Sequence, residues 1–349
     1  MSQLADVSAP TTSPSELRAV LEPALNSHFG VQRSITRLDC RPSDKRSSFA
    51  LEEIDLCLED GASLKIMFKN LSRNALLEGA RQAKPAFLHD PLRETEIYRA
   101  ILAPHRMGTA DYYGGVVDTR ASRYWLFLEK VAGVELYQVG GFAIWLEVAR
   151  YLAILHTWLA AKVQSLPQGP AAHLLTYDAE YFRQWLIRAQ QFLQAAGPAR
   201  RRKAKRLMER LAGGYERVIE RLVALPATLI HGEFYASNVL VQESAESLRV
   251  CPVDWEMAGI GPSLIDLAAV IAGRWTAKQK KDLALAYHAS LPADNPWRAK
   301  PEAMLTALEH CRLHLAIQWL GWSSDWSPPP EHKHNWLTEA IGAADRLGL

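Results

Sequence analysis

The chain has 349 residues, of which 48% are hydrophobic and 22% are charged, and its formal net charge is +2. This composition is typical of a folded protein that buries a substantial core and is long enough for two domains, whereas the nearly balanced charge argues against nucleic acid as a partner. The four cysteines form no CxxC pair, and no signal-peptide core or uncharged run of about 18 apolar residues is present, so we expect a reduced, cytoplasmic protein without a membrane partner.

The first predicted element is a helix that follows a polar N-terminus. Residues 1–13 are expected to be disordered. Ser13 has the character of an N-cap, Pro14 follows it in the first helical position, and Glu16 stands where it would complete a capping box. Apolar residues then recur at helical spacing, so the helix is predicted to begin at Pro14.

Further along, the hydrophobic period changes from helical to two. Alternating apolar residues at 54–58 and 64–68 flank an "EDG" turn and predict a β-hairpin. In the segment "DPLRETEIYRAIL", Asp90 has the character of an N-cap and Pro91 opens a helix. The run "RYWLFLEKV" at 123–131 predicts another strand.

The rest of the chain is predicted to be mostly helical. Only the region 228–254 returns to short strands. A β-rich first third and a helix-rich remainder indicate an α+β protein with two unequal lobes, joined near residues 128–133.

One strand–loop–strand segment carries the residues that most clearly indicate chemistry. "HGEFYASN" at 231–238 lies between the apolar runs "ATLI" and "VLV", and "VDWE" follows at 253–256. Loops between strands can bring the side chains of Glu233, Asn238 and Asp254 together on a rigid scaffold. Amide and carboxylate oxygens suit Mg²⁺ that is bound jointly with phosphates, and a further carboxylate could act as a base in phosphoryl transfer.

The same segment resembles the paired signatures of the aminoglycoside phosphotransferase / choline kinase superfamily, the small-molecule branch of the protein-kinase-like fold. In that superfamily the catalytic loop has the sequence pattern H-G-D-x-x-x-x-N. An apolar residue and D-W/F-E follow it, and then a D-L-A element. This chain matches with "HGEFYASN", with "DWE" at 254–256 and with "DLA" at 266–268, and "LAILH" at 152–156 precedes them. It departs at one position, where Glu233 replaces the usual aspartate.

The resemblance implies a bilobal protein-kinase-like fold that uses ATP or GTP with Mg²⁺ and a small-molecule hydroxyl acceptor. The N-lobe would span residues 14–128, the hinge 129–133, and the C-lobe 134–349. It also implies the site: Asn238 and Asp254 as the magnesium ligands, Glu233 as the catalytic base, His231 as a brace for the loop, and Asp266 as a partner of the loop backbone.

For the N-lobe, the resemblance calls for a strand lysine that binds phosphates and pairs with a helical glutamate. Lys69 is the first choice and Lys65 the alternative, because Lys65 lies further from the helix in sequence. Glu94 shares a helical face with apolar residues and is expected to point inward, whereas Glu96 falls on a different side. Met67, two residues before Lys69, would cover the adenine.

The remaining nucleotide contacts are expected on the hinge and on a phosphate loop. The backbone carbonyl of Glu129 and the N–H of Val131 would bind the edge of the adenine. No G-x-G-x-x-G sequence precedes the hairpin and no P-loop is present, so Ser47 and Ser48 are the candidate phosphate donors.

The predicted function is an ATP-dependent phosphotransferase that phosphorylates a hydroxyl group of a sugar, an aminosugar or an amino alcohol. Because positioning matters to about an ångström in such reactions, the longer Glu233 also leaves open a nucleotide-binding pseudokinase with a regulatory role. Transfer of the nucleotide instead of the γ-phosphoryl group is a third, weaker alternative.

Several other residues are noticeable but carry less weight. His310 and His314 have a spacing that can bind zinc, but no third ligand is evident, so a structural or acceptor-site role is favoured. The basic run at 199–206 is interpreted as a solvated helical face. Tryptophans crowd the C-terminal region and could form an apolar or cation-binding wall for the acceptor, with acidic side chains nearby: Trp319, Trp322, Trp326, Trp336, Asp325 and Glu331.

Overall fold

The computed structural model describes residues 12–45, 48–105, 107–244, 247–323 and 334–349. The chain divides into two compact units, Met1–Gly133 and Val134–Leu349. Of the residues predicted above, Ser47, Asp325, Trp326 and Glu331 lie outside the described residues, as does most of the segment 1–13.

The first unit is built on an antiparallel sheet of five strands in the order β1-β2-β3-β5-β4. The predicted hairpin is confirmed, because its two strands pair with Ile54 opposite Ile66. The strand predicted within 123–131 is also confirmed. The strands are β1 (Ile35–Pro42), β2 (Leu51–Leu58), β3 (Ser63–Asn70), β4 (Tyr112–Asp118) and β5 (Arg123–Glu129).

Helix α1 (Pro14–Phe29) supplies part of the hydrophobic core of this unit. Its buried side chains, Leu17, Leu21 and Leu25, join apolar residues from one face of the sheet. The predicted N-cap is confirmed, since Oγ of Ser13 accepts the N–H of Glu16 at 3.2 Å. The carboxylate of Glu16 pairs with Arg123 at 2.7 Å, which the predicted capping box did not anticipate.

Two short helices, α2 (Glu78–Ala83) and α3 (Arg93–Glu96), separate β3 from β4. The predicted N-cap at Asp90 is wrong: α3 begins at Arg93, and the Asp90 carboxylate instead accepts the N–H of Leu92 at 2.8 Å in the preceding turn. After Glu96 the helix widens into a π-type turn, Ile97–Leu102, whose apolar side chains are buried.

The second unit is predominantly helical and contains two small three-stranded sheets, with strand orders β10-β9-β6 and β7-β11-β8. Its strands are β6 (Val134–Glu135), β7 (Leu175–Thr176), β8 (Ala227–Ile230), β9 (Val239–Glu243), β10 (Leu248–Pro252) and β11 (Gly259–Pro262). Its helices are α4 (Phe142–Val163), α5 (Gln168–Ala171), α6 (Ala179–Gln194), α7 (Pro198–Val223), α8 (Leu264–Val270), α9 (Ala277–Ala289), α10 (Pro301–Trp322) and α11 (Trp336–Arg346).

Helix α4 is long and apolar enough to cross a membrane by length and composition alone. In the second unit it packs against α9 and β8, and its side chains at Val148, Leu152 and Leu155 are fully buried there. These contacts are those of a core helix, so its length and composition are weak evidence for a membrane span.

Candidate active site

The turn between β8 and β9 carries the sequence "HGEFYASN" and has room for only a glycine at its second position. Gly232 has φ +83°, a left-handed conformation that side chains disfavour. A Cβ added there would lie 2.1 Å from the hydroxyl of Tyr177 and 2.4 Å from the carbonyl oxygen of Met257. The backbone therefore passes this point only because position 232 has no side chain.

Asp266, the first residue of the "DLA" element in α8, holds the start of this turn. Its fully buried carboxylate accepts the backbone N–H of His231 at 2.7 Å through Oδ2 and that of Gly232 at 2.8 Å through Oδ1. The predicted bond between Asp266 and the loop backbone is thus confirmed. His156, from "LAILH" in α4, adds a contact of 3.1 Å from Nε2 to Oδ2 of Asp266, and its Nδ1 lies 3.0 Å from the Tyr287 hydroxyl.

The imidazole of His231 joins the turn to the strand segment that follows it. Its Nδ1 accepts the N–H of Glu233 at 3.2 Å, so Nε2 must carry the proton that is donated to the carbonyl of Val253 at 2.9 Å. Both contacts are satisfied by the neutral ring, which also packs against Phe234 and Trp255. The predicted bracing role of His231 is confirmed.

The structure brings Asn238 next to Val253, the residue that precedes Asp254. The carbonyl of Asn238 accepts the N–H of Val253 at 2.9 Å, so Asp254 follows directly after a residue bonded to Asn238. The side-chain nitrogen of Asn238 donates to the carbonyl of Glu233 at 3.1 Å. This hydrogen bond does not use the side-chain oxygen Oδ1, which is the acceptor atom of the amide. Asp254 has φ +65° and ψ +64°, a conformation that costs free energy in a residue other than glycine and is often found at functional sites.

These two residues fit a magnesium ion that is shared with a phosphate ligand. Asn238, Asp254 and Glu233 are all half-buried, so each is partly exposed to solvent. Among the described residues there is no group of three or more His, Cys, Asp or Glu side chains that could hold a metal. The protein would supply one oxygen ligand from Asn238 and one from Asp254, and Mg²⁺ commonly takes its others from phosphates and water.

In the first unit, Lys69 of β3 and Glu94 of α3 form a buried ion pair. Their Nζ and Oε2 atoms are 2.6 Å apart, and the side chains are only 6% and 2% exposed. Lys65, the alternative to Lys69, is exposed. The predicted inward orientation of Glu94 is confirmed, while Glu96 pairs with Arg99 near the surface.

Met67 lies on the same sheet face as Lys69 and directly opposite Glu53 of β2. The Glu53 carboxylate bonds to Arg41 at 2.7 Å, to Ser43 at 3.1 Å and to the ammonium of Lys130. Although burial by itself would raise the pKa of Glu53, these hydrogen bonds, the one from Lys130 foremost, hold it below the ordinary value. Sequence analysis did not predict this cluster of charged side chains beside Met67, because the members of the cluster come from β1, β2 and the end of β5.

The remaining predicted nucleotide contacts lie in separate parts of the first unit. Glu129 ends β5, and its Oε2 accepts the N–H of Asp111 at 3.2 Å. Val131 lies two residues further on and is half-buried. Ser48 precedes β2, and its carbonyl accepts the N–H of Leu77 at 3.0 Å.

Two of the C-terminal tryptophans extend the aromatic surroundings of the turn in the second unit. Tyr235 lies two residues after Glu233, and its ring centroid is 5.2 Å from that of Trp319, which stacks on Trp336 at 5.3 Å. Trp322 instead contacts Trp185 of α6.

The two histidines of α10 have unlike environments. Nδ1 of His310 lies 3.0 Å from the carbonyl of Thr306, whereas His314 is fully buried with its Nδ1 3.2 Å from the hydroxyl of Tyr215.

Comparison with known proteins identifies the family to which the chain belongs. The mixed α+β fold, with an antiparallel sheet in its N-terminal part and helices in its C-terminal part, matches solved kinase-like phosphotransferases, which confirms the predicted fold class. The chain belongs to the phosphotransferase enzyme family (APH), because residues 80–300, well over half of its length, match that family. The predicted superfamily is thus confirmed, and the chain is a member of a family of small-molecule phosphotransferases.

Three solved structures illustrate the likeness. A microcompartment-associated aminopropanol kinase has 18% identity and a TM-score of 0.55, covering 88% of this chain and 90% of that one. The GDP complex of wild-type aminoglycoside 2'-phosphotransferase-IIIa has 11% identity and a TM-score of 0.51, covering 94% and 97%. A spectinomycin phosphotransferase with ADP and spectinomycin has 12% identity and a TM-score of 0.51, covering 96% and 99%. Identities this low demonstrate a shared fold only, and no curated protein sequence matches the chain.

Proposed function

We propose that this chain is a kinase that transfers the γ-phosphoryl group of ATP or GTP to a hydroxyl group of a small molecule. The observation that carries the proposal is the backbone bond of 2.9 Å that joins Asn238 to Val253, because it brings the main chain of Asn238 beside the residue that precedes Asp254. Glu233 belongs to the same turn. Two oxygen ligands and a neighbouring acid are what metal-assisted phosphoryl transfer requires of a protein.

In this proposal Asn238 and Asp254 hold Mg²⁺, which when bound neutralises negative charge on the phosphates. Asp254 has a left-handed backbone conformation. The amide nitrogen of Asn238 donates to the Glu233 carbonyl, so Oδ1 is the Asn238 atom proposed to bind the ion. Asp266 and His231 are positioning residues, because each bonds to the backbone of the turn.

Glu233 is proposed as the catalytic base. It accepts the proton of the acceptor hydroxyl while the hydroxyl oxygen forms a bond to the γ-phosphorus, the bond between that phosphorus and the bridging oxygen breaks, and the nucleoside diphosphate leaves. Its main chain is fixed on both sides, since its N–H donates to His231 and its carbonyl accepts from Asn238 and from the N–H of Tyr235. A backbone held this firmly allows the longer side chain of a glutamate to have a defined position.

The nucleotide is proposed to bind the first unit. Lys69 contacts the phosphates, and Glu94 holds its ammonium at 2.6 Å. Met67 covers the base, and the carbonyl of Glu129 and the N–H of Val131 bind the edge of the base. Ser48 and Ser47 donate hydrogen bonds to the phosphates. In these terms residues 14–128 form a nucleotide-binding lobe, 129–133 a hinge, and 134–349 a catalytic lobe.

The acceptor class is proposed to be a sugar, an aminosugar or an amino alcohol. The contact between Tyr235 and Trp319 places aromatic surface two residues from Glu233, and aromatic faces suit sugar rings and amino groups in their charged form. Two of the structures with the same fold bear the names of an aminopropanol kinase and an aminoglycoside phosphotransferase. Both acceptors named there combine hydroxyl and amino groups.

The proposal is tested by incubating purified protein with Mg²⁺, ATP or GTP and a library of sugars, aminosugars and amino alcohols, and by measuring diphosphate release and product mass. We expect turnover with at least one compound and its loss in Asp254→Ala. Asp294→Ala removes an exposed aspartate of the same unit and should leave the rate unchanged. Turnover that survives in Asp254→Ala would refute the metal assignment, whereas nucleotide binding without turnover on any acceptor would identify a pseudokinase.

A further inference from the structure

Helix α10 carries two fully buried polar side chains whose hydrogen-bonding capacity is not used up. Within the described ranges of the chain, neither the oxygen nor the nitrogen of the Gln318 amide has a hydrogen-bond partner. One turn earlier, His314 uses Nδ1 in its contact with the Tyr215 hydroxyl, whereas its Nε2 has no partner among the described residues. Both side chains are 0% exposed. Neighbouring turns of one helix thus bury polar atoms that lack the bonds such atoms nearly always make.

Packing alone does not explain a glutamine at position 318. A buried amide without a hydrogen bond loses its hydration and gains nothing in return, which destabilises the folded state. Methionine would fill a similar volume without that loss. The rare polar groups that stay unbonded inside a protein usually have a role outside packing, and for Gln318 that role is a hydrogen bond to a bound molecule.

The two side chains lie at the interface between α10 and α6. The ring of His314 is centred 6.0 Å from that of Tyr181 on α6. Gly321 packs so closely on the same helix that an added Cβ would lie 2.9 Å from the ring of Trp185. Gln318 comes four residues after His314 and three before Gly321, so the helical spacing puts it on the side of α10 that faces α6.

Two tyrosines connect this interface with the turn that carries Glu233. The ring centroid of Tyr181 is 4.4 Å from that of Tyr177. The hydroxyl of Tyr177 donates to the carbonyl of Met257 at 2.7 Å, and it is also the group that a Cβ at Gly232 would meet at 2.1 Å. The ring of Tyr177 therefore lies between the α6–α10 interface and the backbone of the turn.

A second connection runs through Trp319, the residue that follows Gln318. The ring centroid of Trp319 is 5.2 Å from that of Tyr235, which is two residues after Glu233. Trp319 and Tyr235 are both half-buried, so this turn of α10 extends from the buried interface to partly exposed aromatic surface. Gln318 is one residue away from that surface.

The polar atoms at the interface suit a hydroxyl group. The amide of Gln318 offers N–H donors and an acceptor oxygen, and a hydroxyl group both donates and accepts. An ammonium group only donates, so it would leave the amide nitrogen of Gln318 unbonded. Burial lowers the pKa of His314 to about 3, and its described contacts are a hydroxyl group and aromatic rings, with no carboxylate that would match a cation.

We propose that Gln318 binds a second hydroxyl group of the acceptor, one that is not phosphorylated, and that the acceptor is therefore a polyhydroxylated molecule such as a sugar or a polyol. This inference rests on the proposed function and narrows the acceptor class stated there, because it excludes amino alcohols with a single hydroxyl group. One hydroxyl group of the acceptor reacts beside Glu233, and the other bonds to the amide of Gln318. An acceptor without the second hydroxyl group would leave that buried amide unbonded, so Gln318 determines specificity.

The test is steady-state kinetics with acceptors that differ by one hydroxyl group. The pairs are glycerol and propylene glycol, aminopropanediol and aminopropanol, and D-glucose and each of its monodeoxy forms. In at least one pair we expect the unchanged protein to have a kcat/KM about tenfold or more higher for the member with the additional hydroxyl group. Gln318→Met keeps the size of the side chain and removes the amide. It should lower kcat/KM for that member by a similar factor, mainly through the acceptor KM, and leave the other member and the nucleotide KM unchanged.

Gln194→Met changes an exposed glutamine of α6 and is the matched control, with no change expected. Urea unfolding separates recognition from a structural role. Because Gln318→Met replaces an unbonded buried amide by an apolar side chain, its stability should equal or exceed that of the unchanged protein. Lower stability with an equal loss of kcat/KM for both members of every pair would overturn the inference and make Gln318 structural. Unchanged kinetics in Gln318→Met would overturn it as well, and is the result expected if the amide binds only water.

The kinetics also distinguish this inference from the proposed function. If the unchanged protein phosphorylates neither these compounds nor the library above, the proposed function fails and this inference fails with it. If it does have turnover, but at equal kcat/KM for both members of every pair or at the highest kcat/KM for aminopropanol, this inference alone is overturned.

Discussion

The backbone N–H of His231 donates a 2.7 Å hydrogen bond to Oδ2 of Asp266, thirty-five residues further along the chain. Because the other carboxylate oxygen accepts the N–H of Gly232, one buried side chain satisfies the backbone at the start of the turn that carries Glu233. A buried acceptor that serves two backbone donors is costly to replace, since each donor left without a partner loses its hydration as well as its bond.

Asp266→Asn is therefore expected to weaken both stability and turnover. The amide would place an NH₂ group against one of the two N–H donors, at a cost of about 2–4 kcal/mol in the free energy of unfolding, and the displaced turn should lower kcat at least about tenfold. Urea unfolding followed by circular dichroism, together with diphosphate release, measures the two effects. Asp294→Asn is the control at an exposed position, and wild-type stability in Asp266→Asn would contradict the anchoring role.

The buried pair of Lys69 and Glu94 allows stability to be separated from nucleotide binding. Lys69→Met or Glu94→Gln alone leaves one charge buried without its partner and is expected to cost about 3–5 kcal/mol in unfolding free energy. The double variant removes both charges and should regain most of that stability, because two neutral side chains of similar size avoid the desolvation penalty. Its affinity for ATP should nevertheless stay low.

Unfolding midpoints and ATP binding of the two single variants and the double variant complete a double-mutant cycle. The exposed pair of Arg37 and Asp39 is the control, since neutralising it should change the stability little. A double variant that regains both stability and ATP affinity would show that Lys69 has no role in binding the nucleotide.

Regular periodicity explains why much of the first unit was predictable. The two-residue period predicted the hairpin of β2 and β3 and the sheet face on which Lys69 lies. The helical period predicted that Glu94 points inward. The start of α3 was not predictable in the same way, because the Asp90 carboxylate caps a turn at Leu92 and not the helix itself. In the local sequence, Asp90 has the same N-cap character whether it caps a turn or a helix.

The contacts missed from sequence are those between distant segments. Glu53 meets Lys130 across 77 positions, and His156 meets Asp266 across 110. Neither pair shares a helix or a strand, so no periodicity relates its members. Single-sequence patterns indicate which face a residue takes, but not which distant residue meets it there.

The geometry of the site is expected to be adapted to the length of the Glu233 side chain. Glu233→Asp shortens the side chain by one methylene and withdraws the carboxylate by about 1.5 Å, which should lower kcat by about 10²-fold while the nucleotide KM changes little. Glu233→Gln keeps the length and removes the base, so it should lower kcat by about 10²- to 10⁴-fold. Steady-state kinetics on the best acceptor measures both variants, with Glu243→Gln at the exposed end of β9 as the control. A faster Glu233→Asp variant would show that the glutamate impairs the enzyme.

His314 is expected to make the folded state sensitive to acid. Burial lowers its pKa from an ordinary 6.5 to about 3, and its described contacts are the hydroxyl of Tyr215 and the rings of Phe182 and Tyr181. As the pH falls below 6.5, the imidazole of His314 binds a proton in the unfolded chain but stays neutral in the folded chain. The contribution of His314 is thus fully present above about pH 6.5 and is lost progressively towards pH 3, by about 2 kcal/mol at pH 5.

His314→Phe removes this proton uptake, so its free energy of unfolding should fall less steeply between pH 6.5 and 5 than that of the unchanged protein. Urea titrations at several pH values within this range measure the slope. His310→Phe, one turn earlier on α10 at a half-buried position, is the matched control and should keep the original slope. If His314→Phe and the unchanged protein lose stability in parallel as the pH falls, the ring at position 314 is protonated in the folded state and its burial does not govern the acid response.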